Sequence, residues 1–339
     1  MGPLGDLDAA IFAELQRDGR IAFTALAERL GVSEAYVRRR VKRLTDADVL
    51  SITAVADPAL LGLEEMAWIG LVVAPAHLRA VTRALVELPE VDYVVVCSGE
   101  FSVMAEVTCP SSRELYRLLL QLRRIAGVRR TETFVYLELV RQQFRWPVGE
   151  GEGPLARADG PAWTGSPEPL AALDVNIIRE LERDGRASFR DIGRRVGVSE
   201  RVVSSRFTDL TSRGVLQVIA VGNPVNLGFT EMAWLAITLA EGAELEQVSA
   251  ALGAIGAIDY VVVTAGRFDV MAEAVCRDRA ELLCVLERDI GGIDGIANIE
   301  AFLYLELLYK STAGAWGVSR AGAAPGADQS VSRLPRSVR

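Results

Sequence analysis

The sequence predicts an α+β chain in which one unit, a three-helix domain followed by a βαββαβ sandwich, is written twice. Three observations lead there. The chain superimposes on itself at a shift of 166, which sets Leu7-Asp8 on Leu173-Asp174, Arg17-Asp18-Gly19-Arg20 on Arg183-Asp184-Gly185-Arg186, and Glu65-Met66-Ala67-Trp68 on Glu231-Met232-Ala233-Trp234. The shift becomes 167 where Asp92-Tyr93-Val94-Val95-Val96 meets Asp259-Tyr260-Val261-Val262-Val263, and 168 where Tyr136-Leu137-Glu138-Leu139 meets Tyr304-Leu305-Glu306-Leu307. Apolar residues in the first third of each copy keep a helical period, whereas the remaining two thirds alternate strand-like runs with helical stripes. Finally, 339 residues with 50% apolar and 24% charged content suffice for several cored domains of a soluble globular protein.

In copy one, Leu7, Ile11 and Leu15 mark the buried stripe of a first helix, and Gly19 is placed to end it. Leu26 and Leu30 give a shorter second helix, stopped by Gly31. Ser33 is an N-cap for a third helix whose inward side is Val37, Val41 and Leu44. Copy two repeats the plan with Ile192, Val196, Gly197, Ser199, Val203, Phe207 and Leu210. Two helices joined by a Gly-x-Ser turn behind a packed first helix make a helix-turn-helix, and the β-branched alternation from Leu50 to Val55 predicts a wing strand after it. Beyond it, Met66 to Val73 is a strand, and Leu78, Val81, Leu85 and Leu88 line one side of a helix. Tyr93 to Cys97 and Val103 to Val107 are strands about the turn Gly99-Glu100-Phe101-Ser102. Leu115, Leu118, Leu119 and Leu122 mark a second helix, and Thr131 to Leu139 is the last strand. That order is a ferredoxin-like sandwich, which by itself names no activity.

The stretch GVSEAYVRRRVKRL returns in copy two as GVSERVVSSRFTDL, apolar positions kept and charge removed. The third helix of copy one carries Arg38, Arg39, Lys42 and Arg43 outward, with Arg40 nearer the core, against a single Glu34. A solvated helix face with Arg40 paired to a carboxylate is the plain reading of such charge. Its position favours another, because this is the element a helix-turn-helix inserts into the major groove, where arginine grips phosphates or the O6 and N7 of guanine. Glu34, Ala35, Tyr36 and Arg39, near the helix start, are expected to meet base edges, and Ser33 is counted with them among the DNA-binding residues. Copy two places Ser204, Ser205, Thr208 and Asp209 where copy one has Arg38, Arg39, Lys42 and Arg43; Arg206 matches Arg40, and Arg201 is added.

Composition narrows the classes. The longest apolar runs, such as Trp68 to Ala74, are strand-sized, and the N-terminus lacks the basic start and apolar core of a secretion signal, so a cytoplasmic protein with no membrane partner is expected. Four cysteines without a C-x-x-C pair and a single histidine, His77, provide no zinc site and no histidine-based catalytic centre; neither metal nor cofactor is expected. A net charge of -8 speaks against unselective coating of nucleic acid, but phosphate binding depends on local charge. The domain limits are 1–57 and 170–223 for the helix-turn-helix parts and 58–146 and 224–310 for the sandwiches. A flexible Gly/Pro-rich tether at 147–169 and a disordered tail at 311–339 complete the chain.

Each copy resembles the Lrp/AsnC family, the leucine-responsive and asparagine regulators, over Leu7 to about Arg141 and Leu173 to about Lys310. The marks are Leu-Asp opening the first helix, Asp-Gly-Arg after it, Gly-Val-Ser before the third, Pro58 with Leu61-Gly62 and Pro224 with Leu227-Gly228, and the Gly-x-Phe turn. The resemblance implies a transcription regulator that binds double-stranded DNA, whose sandwich dimerises and binds an amino acid or similar small effector near that turn. In these terms the effector candidates are Gly99, Glu100, Phe101 and Ser102, with Gly266, Arg267, Phe268 and Asp269. The family turn resembles Gly-x-Tyr/Phe-Asp; copy two keeps the acid and copy one has Ser102. Asp269 either binds an effector's ammonium group or caps the turn. A fused pair implies an intrachain pseudo-dimer, with further homo-oligomerisation and a place at the nucleoid. Two other functions stand beside the regulator: a sirohaem-decarboxylase-like enzyme, since those enzymes resemble the family in fold and occur as fused pairs, and an effector-binding assembly protein with relic DNA helices.

Overall fold

The structure is a computed structural model and describes residues 4–56, 59–142 and 170–310. The tether read at 147–169, the tail read at 311–339 and Pro58 lie outside the described residues. The described residues divide into two compact units, and the division does not follow the two copies. One unit joins the helix-turn-helix parts, Met1–Gly62 with Phe144–Gly228; the other joins the sandwich parts, Leu63–Gln143 with Phe229–Ser311.

In the first unit, copy one supplies α1 (Asp6–Arg17), α2 (Phe23–Leu30), α3 (Glu34–Asp46) and β1 (Leu50–Ala56). Gly31 takes the left-handed conformation (φ 66°) that ends α2, and the Ser33 hydroxyl accepts from the Tyr36 N–H at 3.3 Å to start α3. Leu15, Leu26, Val37 and Leu44 close the core beneath them. Copy two repeats this with α6 (Ala172–Arg183), α7 (Phe189–Val196), α8 (Glu200–Ser212) and β6 (Leu216–Gly222). The strand expected as a wing is present, and its partner is its own equivalent: β1 runs antiparallel to β6 from Leu50 opposite Gly222 to Ala56 opposite Leu216. Each first helix packs on the other copy's strand, α1 on β6 and α6 on β1.

The Asp-Gly-Arg loops clasp this ribbon. The Gly19 N–H donates to Val218 O at 2.8 Å and the Gly185 N–H to Ile52 O at 2.9 Å. A Cβ on Gly19 would stand 3.0 Å from the Ile219 backbone, and one on Gly185 would stand 2.9 Å from that of Ile52. Gly19, expected to end α1 through its conformational freedom, is thus required for the close approach of the partner strand; the residue at the end of α1 is Asp18, in extended backbone. Arg20 then donates to Gly185 O at 2.6 Å and lies 4.5 Å over the Phe189 ring, while Arg186 donates to Gly19 O at 2.7 Å and lies 4.0 Å over Phe23. Each such stacked cation contributes about 0.5–2 kcal/mol.

In the second unit, copy one forms β2 (Glu65–Val73), α4 (Leu78–Val86), β3 (Val91–Cys97), β4 (Val103–Cys109), α5 (Ser112–Leu122) and β5 (Val128–Gln142). Copy two adds β7 (Glu231–Leu239), α10 (Leu245–Gly253), β8 (Ile258–Ala265), β9 (Val270–Cys276), α11 (Arg279–Cys284) and β10 (Ile296–Lys310), after a short α9 (Pro224–Leu227) in the first unit. The expected βαββαβ order is found in both. β5 extends beyond the predicted Thr131 to Leu139 because it also pairs with the other copy's β8, as β10 pairs with β3. The two sheets thereby close one barrel, β10-β3-β4-β2-β5-β8-β9-β7, with no free edge strand.

Alternation along each strand sorts the side chains. Ile69, Val94 and Ala105 face Val81, Leu85, Leu115 and Leu118 of the covering helices. The opposite residues fill the barrel: Trp68 meets Trp234 at 4.4 Å between ring centres. The Glu273 carboxylate accepts from the hydroxyls of Tyr93 and Tyr304, both at 2.6 Å, and Glu106 accepts from Tyr136 at 2.6 Å and Tyr260 at 2.9 Å. Burial, then the neighbouring carboxylates, hold all four tyrosines well above their ordinary pKa. Burial likewise pushes the thiols of Cys97, Cys109 and Cys276 up to about 12, as suits reduced core cysteines.

Candidate nucleic-acid interface and effector turns

α3 carries five basic and two acidic side chains, but they are not equally available. Arg40 donates through Nε and Nη2 to both carboxylate oxygens of Asp8 at 2.6 Å, and Arg43 reaches Asp8 Oδ2 at 2.8 Å. Asp8 is buried on α1, so this fork fixes the third helix to the first. The carboxylate pairing expected for Arg40 is thus present, and Arg43, expected to point outward, shares the same acid. Arg38 is paired with Glu34 at 2.5 Å and Lys42 with Asp46 at 2.7 Å, both exposed i,i+4 pairs worth about 0.3–0.5 kcal/mol and readily exchanged for a phosphate. Arg39 is exposed and has no carboxylate partner among the described residues; its guanidinium lies 5.4 Å over the half-buried Tyr36 ring. Ala35, beside them, is exposed, and Ser33 is engaged in the cap.

α8 has two basic and two acidic side chains. Arg206 turns towards Asp174, the equivalent of Asp8, but stands at 3.7 Å, and Asp174 Oδ1 is buried without a hydrogen-bond partner. Asp209 pairs with Arg213 at 3.1 Å. Arg201 and Ser205 are exposed; Ser204 is half-buried, its carbonyl accepting from Thr208. With Phe189 of α7 and Glu200 they line a shallow open groove.

The two turns expected to hold an effector are brought together at one rim of the barrel. Phe101 and Phe268 are buried there, in a chain of rings that runs Phe302, Phe101, Phe134, Phe268 with centres 5.3 to 6.0 Å apart. Each turn's glycine admits a ring from the other copy: a Cβ on Gly99 would stand 3.1 Å from Phe302, and one on Gly266 would stand 2.9 Å from Phe134. Around the rings lie half-exposed charges. Arg267 bonds Glu100 and, at 2.9 Å, Glu132; Glu300 follows at 3.8 Å. Arg130 bonds Glu100 and approaches Glu132 at 3.5 Å. Hydrogen bonds from Arg130 first, then Arg267, hold the Glu100 carboxyl below its ordinary pKa.

Asp269 Oδ2 accepts from the Leu239 N–H at 2.8 Å, and Ser102 Oγ accepts from the equivalent Val73 N–H at 3.2 Å. Each side chain thus ties its turn to the end of the neighbouring strand, β7 for Asp269 and β2 for Ser102, so serine makes in copy one the bond that the aspartate makes in copy two.

Residues 4–45 and 170–211 match the AsnC-type helix-turn-helix domain, and residues 66–146 and 232–313 match the Lrp/AsnC ligand binding domain. The chain belongs to the Lrp/AsnC family. It is a tandem member, a helix-turn-helix transcription regulator with two DNA-binding and two ligand-binding domains. An uncharacterised HTH-type transcriptional regulator of Pyrococcus abyssi is 36% identical over 134 residues, 39% of this chain and 85% of its own length. The HTH-type transcriptional regulator FL11 of Pyrococcus furiosus is 30% identical over 148 residues, 43% and 98% of the two chains. Among solved structures, the sirohaem decarboxylase NirDL covers 90% of this chain and 93% of its own at a TM-score of 0.62; with 17% identity the likeness is one of fold alone.

For this Lrp/AsnC protein, residue patterns located the recognition helices and the turns but missed what joins the copies. Asp8, which ties α3 to α1, and Arg20 and Arg186, which clasp the two copies, are repeat marks to which the sequence assigns no role, as are Glu106 and Glu273, which match at a shift of 167. The available signal was that each lies in a motif present in both copies, far from any gap in the repeat.

Proposed function

We propose that one chain acts as a complete regulator dimer whose two readers are unequal, α3 anchoring the protein to DNA and α8 adding a weaker, differently specified contact. The observation that carries this is the pairing of β1 with β6, which gives α3 and α8 equivalent places in one unit while their charges differ. Arg39, Arg38 and Lys42, with Tyr36, Glu34 and Ala35 at the helix start, contact phosphates and base edges; Arg40 and Arg43 hold the helix in place. In copy two Arg201, Ser204 and Ser205 make the contact and Arg206 supports it. Engagement of one reader raises the local concentration of the other, so a weak reader contributes, and an asymmetric chain suits an asymmetric operator. Selection of genomic fragments on the purified protein followed by footprinting tests this. Protection extending over one half-site strongly and the other weakly is expected. Equal protection of a palindrome would overturn the asymmetry, and no selection of sequence would favour the assembly protein with relic helices.

The effector is proposed to be an amino acid or similar zwitterion held at the rim, where Arg130 and Arg267 suit a carboxylate and Glu100, Glu132 and Glu300 an ammonium group. Gly99, Phe101, Ser102, Gly266, Phe268 and Asp269 frame that rim. Thermal-shift screening of the amino acids, repeated with Glu132→Gln, checks it: a stabilising ligand whose effect is lost in the variant is expected. The reading assigns the chain no catalytic step; His77, the one histidine, is exposed just before α4. It places the protein in the cytoplasm at the nucleoid, with whole chains associating further through exposed apolar side chains such as Tyr116, Leu137 and Leu305. Sedimentation of the purified chain over a concentration series tests that association.

A further inference from the structure

Both units hold contacts that any pairing of copies would keep, and contacts that only unlike copies can make. In the barrel, Trp68 meets its own equivalent Trp234, and Tyr93, Glu106 and Tyr136 are matched by Tyr260, Glu273 and Tyr304. Arg20 and Arg186 are likewise reciprocal. Two copy-one halves from different chains would reproduce all of these.

The rim would not be reproduced. Arg267 occupies the repeat position of Glu100, and the two side chains bond each other, so they stand beside the pseudo-twofold axis. A residue beside such an axis meets itself in a like pair. Copy one against copy one would set Glu100 against Glu100 with both Glu132 nearby, each Glu100 keeping only its own Arg130; copy two against copy two would set Arg267 against Arg267, each keeping only its own Glu300 at 3.8 Å and losing Glu100 and Glu132. The first unit holds a second instance. Asp48 Oδ2 accepts from Asn223 Nδ2 at 2.8 Å, and the Asp48 carbonyl accepts from Asn226 Nδ2 at 2.9 Å. Asn223 stands at the repeat position of Asp57, so a copy-one pair would oppose two acids; Asp48 stands at that of Gly214, so a copy-two pair would leave Asn223 no side chain to bond. Asp48 also has φ of 53°, and no other non-glycine among the described residues takes a positive φ, while Gly214 has φ of 71°. A side chain is kept in a backbone region that disfavours it, at the one place where it bonds the other copy.

We infer that the two copies are complementary halves, each built to pair with the other and not with its like, so that the pairing surface of one chain rejects the corresponding half of a neighbouring chain. The interior and the loop clasp give affinity for any copy, and the rim and the Asp48 contact give selectivity by like-charge opposition and lost bonds. Single exposed ion pairs are weak, but two like pairs exchange for two unlike pairs, so each difference counts twice.

The test starts from the full chain carrying a protease site within 147–169. After cleavage, urea unfolding and refolding, native mass spectrometry counts the unlike and the two like pairs; random re-pairing leaves half of the pairs unlike. The ratio of unlike to like pairs, one to one at random, is expected to be about ten to one. Arg267→Glu and Asn223→Asp should each move the ratio towards random, and together reach it, whereas Arg267→Lys should hold it. A random ratio in the parent chain, or a ratio unmoved by the double variant, overturns the inference. Where cleaved halves do not refold, urea titration of the intact chain decides: Arg267→Glu must lower the midpoint more when Glu100 is present than in the Glu100→Gln background, and equal shifts overturn it.

Discussion

The helices α3 and α8 hold equivalent places in one unit, yet the acid that anchors each is satisfied to a different degree. Asp8 receives a two-pronged bond from Arg40 and a further one from Arg43, whereas Asp174 receives a single long contact from Arg206 and leaves Oδ1 without a partner. The difference teaches that charge on a recognition helix serves two ends. Part of it positions the helix and part is presented outward; copy two has lost the second part and thinned the first. Three cations of α3 remain on its outer face, and in copy two Arg201 stands almost alone.

The comparison breaks most sharply in DNA binding. Replacing Arg38, Arg39 and Lys42 together by alanine should lower affinity by about a hundredfold or more at physiological salt and flatten the log-log salt dependence by about three, whereas Arg201→Ala should cost under about tenfold and flatten it by about one. Fluorescence anisotropy over a salt series measures both, and equal losses would mean that the helices share the work. Next comes stability. Asp8→Ala strands Arg40 beside a buried site and should cost about 2–3 kcal/mol in urea unfolding, against about 1 kcal/mol or less for Asp174→Ala.

A smaller effect separates the first helices by pH. Glu182 is 1% exposed with neither carboxylate oxygen hydrogen-bonded, where copy one has Gln16. Burial pushes its pKa up to about 8, against the lowering influence of Arg179 and Arg183. The folded state therefore holds a proton that the unfolded chain has released above about 4.5, and stability falls as pH rises between those values, by about 1 kcal/mol per unit. Glu182→Gln should remove that slope; a slope unchanged in the variant would assign it to other groups. The smallest expected effect compares the turns. Asp269→Ala and Ser102→Ala each release one backbone N–H and should cost about 0.5–1.5 kcal/mol, with the aspartate the larger.

Much of this was legible in the sequence because repetition and period act locally. The third helix needed only Ser33 and the spacing of Val37, Val41 and Leu44; the βαββαβ order needed only alternation and apolar stripes. Trp68, Tyr93 and Tyr136 could be seen to recur, but no local rule says that a glutamate in a β-rich run receives two tyrosine hydroxyls from opposite copies. Gly19 looked like a helix terminator because that is what glycine does within one chain segment, and its actual constraint comes from Ile219 of the other copy.

The sequence by itself determined the doubled architecture, the helix-turn-helix parts, the sandwiches and the asymmetry of charge between the copies, since each is written in residue types at fixed short spacing. Only the tertiary structure decided that β1 pairs with β6, that the two sheets close one barrel, and that Glu100 faces Arg267. Those contacts join residues some 120 to 220 positions apart, and their partners are chosen by which surfaces can be buried against each other, a condition that no short stretch of chain contains.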